Sequence, residues 1–298
     1  MATFLVGAWN AFVTALSRQD PRTMEWKFIA NPGYIVFILC SYLYVCKIWG
    51  PRFMENRKPY NLRTAIAVYN LLQVLTNMYF LYKMMYHTFW SAGYSPICQG
   101  LTYERTFHSL RLLDIFYYYL FLRMFDFLDT AFFVMQKKFS HVTVLHIVHH
   151  TIVIFNGWLF LRAGSDGQPV LGVCTNAFVH IIMYIYYFLA SLGPSVRKYL
   201  WWKRYLTTIQ IAQFVWMGWH ALIPAFVDCG YPADNILIAL PQILLILFLF
   251  INFYVHAYKT ECPTATGEKC VKMCFIQAGT HQDSVNSSSC NGSEKKKK

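Results

Sequence analysis

Seven stretches of this chain are apolar over about the length a helix needs to cross a hydrocarbon core, roughly 20 residues. They cover 32–49, 64–86, 113–135, 142–161, 170–192, 205–227 and 235–258. In lipid each backbone N–H and C=O must be satisfied internally, and only helices do this within one segment. The expected fold is therefore an all-α polytopic membrane protein, seven transmembrane helices packed as one bundle. Composition agrees, with 56% of the 298 residues apolar and 13% charged, against about a quarter charged in a soluble domain. The formal charge of +12 does not point to nucleic acid, because the basic residues form short runs between apolar spans.

Those runs set an orientation. The loops at 50–63, 136–141 and 193–204 carry Arg52, Arg57, Lys58, Arg63, Lys137, Lys138, Arg197, Lys198, Lys203 and Arg204, and the C-terminal segment is also basic. Positive charge marks the cytosolic side, which places the N-terminus in the lumen and the C-terminus in the cytosol. Arg18, Arg22 and Lys27 weigh against that orientation. Residues 1–28 lack the basic leader of a signal peptide, and Leu5, Trp9, Phe12 and Leu16 share one helical face, as in an interfacial helix. Residues 29–260 form the bundle domain. Residues 261–298 are polar and Ser/Gly-rich, as in a disordered tail, and Lys295 and Lys296 near its end form a dilysine retrieval pattern.

Ionisable side chains inside a span are costly and usually functional. His146, His149 and His150 stand at i, i+3 and i+4, on one face of the fourth span. In the fifth, Asn176, His180, Tyr184 and Tyr187 form a second stripe expected to face the first. The third carries Arg123 and Asp126, spaced for an ion pair, and Asp129, a carboxylate that could fix an imidazole tautomer. The hydropathy of the third, fourth and fifth spans should suffer accordingly. Gln210 and Gln213 in the sixth are candidate substrate contacts, and His220 a helix-to-helix hydrogen bond. Two chemistries suit such a cluster. A membrane di-iron desaturase or hydroxylase uses His-x-x-His-His, but needs about eight histidines to fill two coordination spheres. Imidazole can instead act itself, as nucleophile and acid-base group. A seven-helix receptor or transporter would not need facing polar stripes of this kind.

These residues resemble the very-long-chain fatty-acid elongases, the 3-ketoacyl-CoA synthases of the endoplasmic reticulum. Leu145-His146-Ile147-Val148-His149-His150 looks like that family's histidine box, and 176–187 fits its Asn-x-x-x-His-x-x-Met-Tyr-x-Tyr-Tyr pattern. Thr207, Gln210 and Gln213 fit a third motif; Met54 to Tyr60 and Phe127 to Thr130 followed by Lys137-Lys138 add two more. One departure is Arg123 with Asp126 where the family has Lys and Glu. An arginine cannot titrate, so this pair reads as electrostatic support.

The resemblance implies an endoplasmic-reticulum membrane enzyme that condenses a long-chain acyl-CoA with malonyl-CoA to a 3-ketoacyl-CoA, CO2 and CoA, without metal or redox cofactor. It implies the reductases and dehydratase of an elongation cycle as partners, and is compatible with a homo-oligomer. His149 is expected to accept the acyl group opposite His180, with His150 acting on malonate and His146 and Asp129 completing the centre. Asn176, Tyr184 or Tyr187 would stabilise the enolate. Lys137, Lys138, Lys203 and Arg204 would meet CoA phosphates. Cys174 is the nearest thiol and a weaker candidate nucleophile. The acyl chain would fill a tunnel running from the histidines toward the lumen. Cys98 and Cys229 fall on the lumenal side outside the spans and are expected to form a disulfide. The sequons at Asn286 and Asn291, being cytosolic, should stay unglycosylated.

Overall fold

The computed structural model describes residues 2–258 and a short antiparallel pairing of Cys262–Pro263 with Lys269–Cys270. The dilysine end and the two sequons lie outside the described residues. The chain opens with α1 (Ala2–Ser17), then α2 (Lys27–Ala30) and α3 (Pro32–Tyr44), which runs through a π-turn (Val45–Trp49) into α4 (Gly50–Met54). Next come α5 (Arg63–Met85), α6 (Phe107–Phe125), α7 (Phe127–Met135), α8 (Val144–Ala163) and α9 (Pro169–Ser191). α10 (Pro194–Arg197), α11 (Lys203–Leu222) and α12 (Ile236–Tyr258) complete the order.

Local chemistry fixes where these helices begin and end. Asn31 accepts from the Gly33 N–H at 2.8 Å with Pro32 at the first helical position, which starts α3. Thr106 and Ser109 cap each other at the head of α6. Thr143 accepts from the His146 N–H at 3.2 Å, so the box begins on the first turn of α8. Gly164, at φ 128°, ends α8 in a conformation that side chains resist.

The long helical segments run between two ends of the bundle. At the first end, here the basic end, Tyr60 N–H donates to Met135 O at 3.1 Å, Lys137 Nζ to Glu55 O at 3.0 Å, and Arg63 to the carbonyls of Ser191 and Leu192. At the other, the cap end, Cys98 and Cys229 form the expected disulfide, their Cα atoms 5.9 Å apart. Gly100 makes that approach feasible, because a Cβ there would fall on the Cys229 carbonyl. Among the described residues five segments are long and apolar enough to cross a membrane: Pro32–Met54, Arg63–Trp90, Val144–Ala163, Pro169–Ser191 and Ala233–Tyr258. The protein is thus a multi-pass, helical membrane protein.

Two expectations change. The fourth and fifth spans pass on hydropathy despite their histidines, while the sixth, which carries Lys203, Arg204, Gln210 and Gln213, does not reach that standard. The third is not one helix over 113–135. It begins at Phe107 and breaks at Asp126, whose side chain faces Arg123 and Gln73. At the N-terminus, α1 packs toward α8 and α12, with Phe12 and Leu16 half-buried but Trp9 64% exposed, so the expected apolar face is not uniformly covered.

Candidate active site

The two polar stripes approach each other at His149 and His180. The rings of His149 on α8 and His180 on α9 lie 6.4 Å apart, nearly parallel at 21°. His150 and His146 follow behind His149, with ring separations of 5.6 Å from His149 to His150 and 4.4 Å from His150 to His146. Phe214 from α11 and Phe250 from α12 close on His149 at 6.4 and 6.3 Å.

Arg123 organises the centre. Its Nη1 meets His180 Nδ1 at 2.6 Å, its Nη2 donates to Asn77 Oδ1 at 2.8 Å, and it pairs with Asp126 at 3.1 Å. A guanidinium has donors only, so His180 Nδ1 must be the acceptor and the ring proton of neutral His180 sits on Nε2. The expected Arg123–Asp126 pair is present. Asp129, expected beside the imidazoles, is not: beyond the break at Asp126 it lies on α7 and accepts from Tyr184 Oη at 2.9 Å. The cation, and not the carboxylate, sets the imidazole. His146 meets Thr130 Oγ1 through Nε2 at 2.7 Å, and Tyr42 Oη lies 3.0 Å from the same hydroxyl.

Sequence reasoning overlooked α5. Tyr69, Gln73 and Asn77 stand at i, i+4 and i+8 and are buried, a stripe readable by the same rule that found the others. Gln73 donates to Asp126 Oδ1 at 2.7 Å and to Tyr69 Oη at 3.0 Å, and Asn77 donates to Gln73 O at 2.7 Å.

A cavity of about 280 Å³ opens from this centre toward the cap end, between α6, α8, α9, α11 and α12. His149 is the one box histidine on its wall, together with Arg123 and Asn176. Aliphatic and aromatic side chains such as Phe160, Val173 and Ile243 line its length. At the cap end Gln168 and His220 join, Gln168 Nε2 donating to His220 O at 2.9 Å while His220 Nε2 meets Pro96 O at 3.1 Å. Beyond that end Arg22 lies fully buried between Asp20 and Asp166, at 2.6 and 2.9 Å. Burial opposes its charge, but the two carboxylates outweigh this and hold the guanidinium above its ordinary range. Arg22 therefore belongs to a buried cluster and carries no weight in the orientation argument.

The remaining expected site residues are dispersed. Tyr187 packs edge-on to the Tyr184 ring at 6.0 Å and is 41% exposed, two turns from His180 toward the basic end and off the cavity wall. Gln210 and Gln213 reach the sulfurs of Met183 and Met217 and do not line the cavity. Lys137, Lys138, Lys203 and Arg204 lie at the basic end, where Lys138 Nζ donates to Gln136 Oε1 at 2.7 Å and Arg204 stacks on Tyr205. Cys174 is buried and absent from the cavity wall. Among the described residues no three His, Cys, Asp or Glu side chains converge as a metal-holding group.

The family model of the ELO, GNS1/SUR4 family matches residues 27–265, the whole of this bundle. The chain belongs to the ELO family. A very long chain fatty acid elongase of Aedes aegypti is 37% identical over 240 residues, 80% of this chain and 67% of that one. Elongase 7 of Drosophila melanogaster is 37% identical over 243 residues, 81% of this chain and 74% of its own length. Human elongase 4 is 34% identical over 250 residues, 84% and 79% of the two chains. ELO membership supports fatty-acid elongation as the general activity and acyl-CoA as the substrate class.

Proposed function

We propose that this ELO protein condenses a long-chain acyl-CoA with malonyl-CoA through a covalent acyl-His149 intermediate. The observation that carries the reading is the position of His149, on the wall of an apolar cavity and stacked against a His180 whose tautomer Arg123 dictates. The unprotonated ring nitrogen of His149 attacks the thioester carbonyl; the C–N bond forms, the C–S bond breaks, and CoA leaves as a thiolate that takes up a proton. Malonyl-CoA then loses its free carboxylate as CO2, and the electron pair of that bond becomes the enolate. The enolate carbon attacks the acyl-imidazole carbonyl, the C–N bond breaks, and His149 is restored. His180 Nε2–H is the donor opposite the developing oxyanion. His150 positions malonate, with His146 held behind it by Thr130. Asn176 stabilises the enolate.

The acyl chain extends into the cavity toward the cap end, and the basic residues Lys137, Lys138, Lys203 and Arg204 meet the CoA phosphates at the opposite end. All seven segments cross the endoplasmic-reticulum membrane, with the cap end lumenal and the basic end cytosolic. The di-iron reading is less well supported, because His146 Nε2 and His180 Nδ1 are already committed to Thr130 and Arg123. Purified protein given a long-chain acyl-CoA and malonyl-CoA labelled at its free carboxyl is expected to release labelled CO2 and form a 3-ketoacyl-CoA two carbons longer. Stoichiometric iron with desaturated product would support the rival instead.

A further inference from the structure

Between its two ends the cavity wall is largely apolar. Near the histidines Asn176 is one turn from His180; at the cap end Gln168, His220 and Asn235 are occupied with one another, Pro96 and Arg18. In the stretch between, the carboxamide side chains on the wall are Asn156 of α8 and Gln242 of α12, and Tyr119 of α6, one turn from Arg123, adds a hydroxyl without a hydrogen-bond partner among the described residues. Asn156 is seven residues beyond His149, so at 1.5 Å of rise per residue it lies about 10 Å deeper. Gln242 is eight residues before Phe250, which packs on the His149 ring at 6.3 Å, and so lies about 12 Å from that level. Two carboxamides from adjacent helices therefore meet at one level.

Their hydrogen-bonding capacity is largely unspent. Gln242 Nε2 donates to Ile238 O at 2.9 Å, which leaves Oε1 without a partner among the described residues. Asn156 makes no side-chain hydrogen bond to another described residue. Both are half-buried, on the cavity side, where a bound chain would cover them. An extended chain advances about 1.2 Å per bond, so a chain with its carbonyl at His149 passes these amides after roughly eight to ten bonds. A saturated run there removes both amides from water and returns nothing. A cis double bond offers its π electrons to the Asn156 N–H and its vinylic C–H groups to the amide oxygens, contacts of the weak hydrogen-bond kind.

We infer that Asn156 and Gln242 read the middle of the acyl chain, selecting chains with a cis double bond about eight to ten carbons from the thioester over saturated chains of equal length. This rests on the acyl-transfer reading above. The test uses the purified full-length protein, malonyl-CoA and three eighteen-carbon acyl-CoAs: saturated, cis-unsaturated at the ninth carbon, and cis-unsaturated near the methyl end. The ninth-carbon substrate is expected to exceed the other two in kcat/KM by roughly fivefold to tenfold, the scale of two weak contacts. In Asn156→Leu with Gln242→Leu the ratio should fall to about one, and each single variant should lower it in part; a recovered Cys98–Cys229 linked peptide checks folding. Equal kcat/KM for the three chains, a preference indifferent to the bond's position, or a ratio surviving in the folded variants overturns the inference. Condensation of none of the chains overturns the acyl-transfer reading instead.

Discussion

The bundle buries two arginines, and it uses them in opposite ways. At the cap end Arg22 is enclosed by Asp20 and Asp166, with Thr102 and Glu104 carbonyls taking its remaining donors. Every strong contact there stays within the cluster, and the Cys98–Cys229 bond ties the surrounding loops. Arg123 pairs with a single carboxylate and turns its Nη atoms to Asn77 and to an imidazole beside the cavity, while its Nε has no hydrogen-bond partner among the described residues. The first arrangement ties the N-terminal segment to the loops of the cap end. The second leaves a cation that shares one carboxylate beside His149, where in the proposed reaction a carbonyl oxygen gains negative charge. A buried ion pair says little about function until its remaining hydrogen bonds are traced.

Substitutions can sharpen this contrast, and the largest effect belongs to the imidazoles. His149→Ala or His180→Ala is expected to lower condensation by several powers of ten while leaving protein amount and thermal transition nearly unchanged, as measured by product mass spectrometry and heated size exclusion. Retention of more than about a tenth of the activity contradicts their roles.

Arg22→Ala should show the reverse pattern. It leaves two buried carboxyl groups without their cation and is expected to cost about 3 to 5 kcal/mol of stability, seen as a large fall in thermal transition, with normal turnover per folded molecule. Arg123→Lys should lie between them. Lysine keeps the charge but cannot hold His180, Asn77 and Asp126 in one fork, so kcat is expected to fall about 10-fold to 100-fold with KM little changed. A matching rise in KM would assign Arg123 to substrate binding. The smallest effect should come from reduction of Cys98–Cys229, at roughly 2 to 4 kcal/mol of stability and no change in chemistry.

The sequence rules recovered what depends on a single helix. The box at 146–150, the stripe from Asn176 to Tyr184 and the Arg123–Asp126 pair follow from a 3.6-residue period, and the structure places them as that period requires. The same rule extended one residue too far at Tyr187, because periodicity marks a face without saying where the neighbouring helix ends. What it could not give was partner choice across helices. Asp129 was assigned to an imidazole and bonds Tyr184, since the break at Asp126 redirects α7, and no spacing in 113–135 announces a break. Arg22 read as a loop charge because Asp166, the partner that encloses it from the other side, is 144 residues away in the chain. The α5 stripe of Tyr69, Gln73 and Asn77 was legible, but neutral polar residues carry no charge to draw attention to a span.

Incubation of the purified enzyme with a long-chain acyl-CoA in the absence of malonyl-CoA, followed by peptide mass spectrometry, tests the central claim most directly. The account predicts one acyl group on the peptide carrying His149, discharged to 3-ketoacyl-CoA when malonyl-CoA is added, and absent in His149→Ala. Active enzyme holding acyl-CoA only non-covalently, or an adduct on Cys174 that turns over, would contradict it.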